Sequence, residues 1–278
     1  MEARKTVLVT GCSEGGIGEA LAREFQARGL HVFATARSES KMASLHKLAN
    51  VTVLPLDVTC TDSIAAAVTA VSAKTGGKLD YLVNNAGTQI VMPVLDFDIQ
   101  QAKAMFDVNL WGVLAMVQAF MPLILATKGT IVNLSSIGAL SWLPYKAVYG
   151  SSKSAVVTLS EGLRVELKPF GVKVATVLVG GVDTNIFENA PEYHLPPGSL
   201  YKPIEKEIGD CATGRDISEG MLGRREDFAY SLVKDILGGA TGKIFRGNAA
   251  SMVRILAAIL PDFVMDRVVA WNTGLNRI

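Results

Sequence analysis

Short apolar runs and longer amphipathic stretches alternate along this chain of 278 residues. Residues 5–10, KTVLVT, are rich in β-branched side chains and stop at Gly11. An uninterrupted run of that kind suits a parallel strand buried on both faces. The same reading fits HVFATA at 31–36, VTVLP at 51–55, LDYLVNN at 79–85, GTIVNLS at 129–135 and VKVATVLV at 172–179. Between these runs apolar positions return at helical spacing, over about 17–28, 61–74, 98–126 and 147–168, the last ending before Pro169. The repeating βαβ pattern has no Pro/Gly-rich linker. It predicts an α/β fold, one domain over residues 1–278 built on a doubly wound parallel sheet of about seven strands.

Two stretches depart from the alternation. Residues 188–222 carry several prolines and glycines and little periodicity. A loop of this length is a lid or a disordered stretch. It follows the strand ending near Val179, where ligands of open α/β sheets bind, so a substrate lid is expected. Residues 249–271, AASMVRILAAILPDFVMDRVVAW, are very apolar but broken by Arg254, Pro261, Asp262, Asp266 and Arg267. They read as apolar C-terminal helices. These either pack on the domain or a partner subunit, or form a hairpin lying on a membrane surface. No run of 18 uninterrupted apolar residues suggests a conventional span.

Composition narrows the class. Hydrophobic residues make up 49% of the chain, enough for a large core. The 27 basic and 26 acidic residues nearly cancel, which gives no reason to expect nucleic-acid binding. Cys12, Cys60 and Cys211 stand far apart and form no CxxC pair. They read as free thiols of a reducing compartment, and with three histidines no metal site is expected. MEARK at the N-terminus is charged and does not read as a signal peptide.

Chemistry gathers first at the turn TGCSEGGIG, residues 10–18, between the first strand and the first helix. Glycines admit a phosphate close to the backbone, and the helix offers its free N–H groups. The context is that of a Rossmann-type dinucleotide turn, against the alternative of an ordinary strand-to-helix turn. An NAD site places a carboxylate after the second strand. Here Ala36 is followed by Arg37, which can pair with a 2′-phosphate, so NADPH is expected over NADH. The alternative is a solvated surface arginine. Asp57, in PLDVT, suits the adenine amino group or caps a helix.

A second gathering is YGSSK at 149–153. Tyr149 and Lys153 share one helix face, and a lysine cation beside the phenol should lower its pKa. A ketone reductase needs such a proton donor. Ser135 and Ser136 end the fifth strand, and a hydroxyl there can hold a carbonyl oxygen. NNAG at 84–87 ends the fourth strand. Asn109, in VNLWG, can bind water through its carbonyl and relay protons to Lys153. Leu140, Trp142, Leu143 and Tyr145 either wall an apolar substrate pocket or pack in the core.

Taken together, TGCSEGGIG, NNAG, VNLWG, NLSS and YGSSK resemble the short-chain dehydrogenase/reductase family over about residues 5–185. The resemblance implies a catalytic set of Asn109, Ser136, Tyr149 and Lys153; Ser136 is preferred because it lies thirteen residues before the tyrosine. It implies cofactor contacts from Gly11, Ser13, Gly16, Ile17, Gly18, Asn85, Ala86, Gly87, Tyr149 and Lys153. Val182 and Thr184 correspond to the stretch holding the nicotinamide carboxamide. The glycine turn is one residue longer than the family's TGxxxGIG, so the phosphate partner among Ser13, Glu14 and Gly15 stays open. The usual Pro-Gly after the sixth strand reads Val179-Gly180, which suggests a less rigid start to the lid.

In the C-terminal half, LKPFGVKV, VGGVDTNIF, YSLVKDIL and KIFRGNAASMVRILAAILPDFVMDRV resemble the 1-acyldihydroxyacetone-phosphate reductases. That implies NADPH-dependent reduction of a ketone in a lipid precursor. It also implies a cytoplasmic protein, near endoplasmic reticulum or lipid droplets. The expected function is therefore reduction of a hydrophobic or lipid-like ketone to a secondary alcohol. The alternative is a secondary-metabolite dehydrogenase or ketoreductase acting on a polyketide, terpenoid or alkaloid intermediate. A cofactor-binding protein without redox activity is a third possibility that the intact Ser136, Tyr149 and Lys153 set argues against. The family resemblance also implies a homodimer or homotetramer, with helices 98–126 and 147–168 as interface elements.

Overall fold

The structure is a computed structural model that describes residues 4–188, 190–218 and 220–278. Asn189 and Glu219 fall within the expected lid and lie outside the described residues. Seven strands form one sheet in the order β3-β2-β1-β4-β5-β6-β7, every pair parallel. They are β1 (Thr6–Thr10), β2 (His31–Ala36), β3 (Val51–Pro55), β4 (Tyr81–Asn84), β5 (Thr130–Ser136), β6 (Lys173–Val179) and β7 (Gly242–Arg246). The helices are α1 (Ile17–Ala27), α2 (Ala43–His46), α3 (Thr61–Thr75), α4 (Ile99–Phe106), α5 (Gly112–Leu125) and α6 (Ala147–Leu167). They continue with α7 (Glu205–Thr213), α8 (Arg225–Leu237), α9 (Ala250–Ile259) and α10 (Asp262–Val269).

Alternation along the strands divides the core into two layers. Val7 and Val9 of β1 face one layer, with Leu21 and Phe25 of α1 and Leu232 of α8. Leu8 faces the other, with Ile64 of α3 and Met116 and Phe120 of α5. Both faces of the central strands are thus covered, which explains their continuous apolar runs. β1 pairs with β2 on one side and β4 on the other, so the strand order reverses between β1 and β4. A crevice opens at such a reversal, at the carboxyl ends of the strands.

Several elements depart from the sequence expectation. The helix expected at 98–126 is α4 and α5 joined by one turn of π-helix, Asp107–Trp111. α2, α8 and β7 add to the elements expected. The expected lid contains α7, and its Ile204, Ile208 and Cys211 form a small apolar cluster with Val91, Tyr145 and Leu195. The stretch is therefore packed, with a core of its own.

Candidate active site

The turn after β1 is held by side chains as much as by glycine. Thr10, at the end of β1, accepts the backbone N–H groups of Asn85 and Ala86 on its hydroxyl, at 3.0 and 2.9 Å. Asn85 returns its side-chain amide to the carbonyls of Thr10 and Gly11, at 2.8 and 3.1 Å. The crevice between β1 and β4 is thereby stitched shut at its floor. Asn85 has a positioning role here that its motif did not reveal. A Cβ on Gly18 would run into the Gly11 carbonyl, and one on Gly11 would stand 2.9 Å from the Ala86 Cα. Only glycine lets helix and turn approach this closely.

The extra residue in this turn has a definite use. Glu14 N–H donates to the Lys41 carbonyl at 2.8 Å, and Gly15 N–H donates to the Glu19 carboxylate at 2.8 Å. Burial alone would raise the Glu19 pKa. Hydrogen bonds from Gly15 N–H, Ser44 and Arg23 outweigh it and hold the carboxyl below its usual range. The amides of Glu14 and Gly15 therefore serve the turn itself. The first-turn amides of α1 at Ile17 and Gly18 have no partner within their helix. They and Ser13 are the groups suited to a phosphate, with Gly16 donating to the Ser13 carbonyl at 3.1 Å.

Arg37 is exposed directly beyond β2, and Asp57 is half-buried two residues beyond β3. Thr59 N–H and hydroxyl both donate to one Asp57 oxygen, at 2.9 and 2.7 Å. The Thr59 N–H, with the Arg37 cation near by, keeps Asp57 below the usual carboxylate range. The two side chains thus stand near each other at the ends of β2 and β3.

At the other end the π turn carries Asn109, which is fully buried. Asn109 accepts the Thr88 N–H at 2.8 Å and donates to the Thr88 carbonyl at 2.9 Å and to Ser152 at 3.0 Å. A π turn often marks such a site, because its extra residue swings a side chain out of helical register. A Cβ on Gly87 would stand 3.2 Å from both the Asn109 Oδ1 and the Lys153 Nζ. Asn109, Gly87 and Lys153 therefore meet at one point.

Ser135 and Ser136 separate cleanly. Ser135 is buried and donates to the Lys153 carbonyl at 2.8 Å, a structural bond between β5 and α6. Ser136 accepts the Gly138 N–H at 3.1 Å, and its hydroxyl and the Tyr149 ring flank Gly138, near enough for Ser136 to draw the phenol's pKa down. Lys153 Nζ donates to the Leu134 carbonyl at 3.2 Å and sits 5.9 Å from the centre of the Tyr149 ring. The expected lowering of the tyrosine pKa is absent from this geometry. Burial raises Tyr149, with Ser136 opposing it, and burial brings Lys153 down to about 8.

The segment after β6 is clasped rather than loose. Gly181 exchanges backbone hydrogen bonds with Asn248 at 2.8 and 3.0 Å. Gly223, where the lid returns, donates to Gly181 at 3.1 Å and accepts from Asp183 N–H at 2.9 Å. A Cβ on Gly180 would press on the Asn248 backbone, so the first glycine of VLVGG is sterically required. This clasp supplies the rigidity that the missing proline does not. It holds Val182, which is buried, and Thr184, which is half-buried.

The expected pocket walls divide. Tyr145 packs in the lid cluster and donates its hydroxyl to the Thr273 carbonyl at 2.8 Å. Trp142 is half exposed and donates to Asp266 of α10 at 2.8 Å. Neither acts as an apolar wall over Ser136. Lys146, one turn before Tyr149, lies over the Phe187 ring and beside Cys211 of α7, linking α6 to the lid.

The glycine turn with its helix amides fits a dinucleotide pyrophosphate, and the crevice beyond it ends on the hydroxyls of Ser136 and Tyr149. Such an arrangement can pass a proton to or from an oxygen bound between them. That is the frame of an oxidoreductase acting on alcohol and carbonyl groups with a nicotinamide cofactor. The chain belongs to the short chain dehydrogenase family, whose profile matches residues 5–194. A short-chain dehydrogenase of Penicillium ochrochloron is 46% identical over 273 residues, covering 98% of this chain and 99% of its own. An NADPH-dependent 1-acyldihydroxyacetone phosphate reductase of Schizosaccharomyces pombe is 44% identical over 213 residues, covering 75% of this chain and 71% of its own. A solved short chain dehydrogenase from Burkholderia cenocepacia J2315, in complex with NADP, aligns with a TM-score of 0.75 at 27% identity. That alignment covers 95% of this chain and 97% of the other.

Proposed function

We propose that the protein is an NADP(H)-dependent ketoreductase of a secondary-metabolite pathway. It interconverts a ketone and a secondary alcohol on a hydrophobic polyketide, terpenoid or alkaloid intermediate. The observation that carries the reaction is the Ser136–Tyr149 hydroxyl pair with Lys153 behind it. Two observations support the phosphate-bearing cofactor. Arg37 follows β2 where an NAD site has a carboxylate, and the Burkholderia cenocepacia relative holds NADP. The pathway reading is favoured by coverage. Similarity to the Penicillium ochrochloron dehydrogenase runs over 98% of the chain, whereas similarity to the acyldihydroxyacetone phosphate reductase stops at 75%. Reduction of an acylated dihydroxyacetone phosphate is the second reading, and it rests on that partial similarity.

The cofactor when bound exchanges hydride with the carbonyl carbon. Gly11, Ser13, Gly16, Ile17 and Gly18 would hold its phosphates, Arg37 the 2′-phosphate and Asp57 the adenine. Asn85, Ala86 and Gly87 would line its ribose, and Val182 and Thr184 its nicotinamide end. Ser136 holds the carbonyl oxygen, and Tyr149 gives it a proton. Lys153 stabilises the phenolate left behind. Asn109 fixes the backbone at Thr88, and its own carbonyl is the water site that returns a proton through Lys153. Burial keeps Tyr149 protonated at neutral pH, which suits it to reduction.

The test is Tyr149→Phe, assayed as NADPH oxidation with a ketone substrate. Loss of kcat by about 10²-fold or more is expected, with NADPH binding retained by fluorescence titration. Turnover equal to the native rate would remove Tyr149 from the reaction.

A further inference from the structure

One cavity lies away from Tyr149. It holds about 410 Å³ between the strap at residues 90–92 and the lid at residues 190–197. That volume is within the range that takes up a small-molecule ligand. The strap ties it to the catalytic crevice. Met92 N–H donates to the Tyr145 carbonyl at 2.8 Å, and Ile90 lies three residues beyond Gly87. Three extended residues span at most about 10 Å, so the chamber begins within that reach of the Asn109–Lys153 point.

Its lining is mostly apolar, and its carboxylates stand beside Gln101, Tyr193 and His194. Asp96, Asp98 and Glu192 are on it, and no lysine or arginine is among its described residues. Asp96 accepts the Ser199 hydroxyl at 2.6 Å and Asp98 accepts the Gln101 N–H at 2.8 Å, each through one oxygen. Glu192 lies 3.3 Å from His194, both well exposed. Independently of the carboxylates, the Tyr193 hydroxyl on the same lining is buried and has no hydrogen-bond partner among the described residues. A buried hydroxyl without a partner costs about 1–3 kcal/mol in other proteins, which a ligand group would relieve.

We propose that this chamber receives the end of the substrate remote from its reacting carbonyl. It selects an end bearing a hydrogen-bond donor, a hydroxyl or a protonated amine, and rejects a phosphate. The inference rests on the ketoreductase reading and specifies the substrate within it. Carboxylates repel a phosphate and accept from a hydroxyl or ammonium. A phosphate is held by cations or by the free amides of a helix start, and this lining carries no lysine or arginine among its described residues.

The test uses three ketones with the same carbonyl and the same linear apolar arm, ending in a hydroxyl, a primary amine or a phosphate monoester. A short ketone without the arm is the fourth substrate, and NADPH is present throughout. A kcat/KM for the hydroxyl- or amine-ended ketone about tenfold or more above the phosphate-ended one is expected, carried by KM. Comparison of the first two identifies the donor. Glu192→Gln, an exposed position that tolerates the change in folding, and Asp96→Asn should both narrow the ratio. Equal or better use of the phosphate-ended ketone, or a ratio that neither variant moves, overturns the inference. If the short ketone is reduced and the long ones are not discriminated, this inference alone fails. If none of the four is reduced, the ketoreductase reading fails with it.

Discussion

Tyr149 and Lys153 stand one helical turn apart, yet burial moves both toward their neutral forms. For Tyr149 this keeps the proton that reduction needs. For Lys153 the charge is present below about 8 and is lost above it. The kcat/KM for ketone reduction should therefore be level toward neutral pH and fall as pH rises through about 8. A profile still level at pH values well above that would separate Lys153 from the rate. Arg37 is the second residue with a clear readout. Arg37→Ala should raise KM for NADPH by about tenfold or more while leaving KM for NADH nearly constant. Initial rates with both cofactors decide it. At this scale the motifs were highly legible, because Tyr149, Lys153 and Asn109 are fixed by helical spacing and chain order. The pKa direction was not legible. Spacing records the neighbour and not the desolvation.

Elements repay a closer look at spacing. Ile204, at the N-cap of α7, and Ile208 and Cys211 within it recur at the period of a helix and turn inward, but the surrounding prolines and glycines hid them. Phe228, Ala229, Leu232, Val233 and Ile236 of α8 follow the same rule and are all buried. The π turn at Asp107–Trp111 has no comparable sequence signal, since its apolar pattern continues through α4 and α5. The glycine turn shows how an element is fixed from outside itself. Glu19, one turn into α1, holds the Gly15 amide, and Ser44 and Arg23 hold Glu19. A carboxyl kept below its usual range stabilises the fold above its unfolded pKa and loses that contribution as pH falls through the folded value. Glu19→Gln should accordingly lower Tm at pH 7, and the gap from the native protein should shrink toward pH 4. A gap independent of pH would assign the effect to packing.

At the scale of the molecule, the sheet order and its crevice follow from the βαβ alternation, whereas the exposed surface does not. Trp111 and Val165 are 55% and 62% exposed, on or beside the long helices that the family resemblance marks as an interface. If those helices pair two copies, Val165→Glu should convert a dimer or tetramer to smaller species in light scattering, with the fold unchanged by circular dichroism. Along α9 and α10 and just beyond them, Ile255, Ile259, Phe263 and Trp271 are likewise exposed, and the Arg254 guanidinium turns back over the Phe245 ring. A membrane-surface role for this hairpin predicts that full-length protein floats with phospholipid vesicles and that Phe263→Asp does not. The clasp of Gly181, Gly223 and Asn248 has one more consequence, for what happens when the chain is cut. A protease nick within residues 190–218 leaves both new ends anchored, one through Gly181 and the other through Gly223. The nicked protein should release substrate faster and still retain NADPH. Removing residues 247–278 takes away Asn248, so NADPH itself should leave faster. Two injuries far apart in the chain would thus be told apart by which of the two bound molecules escapes.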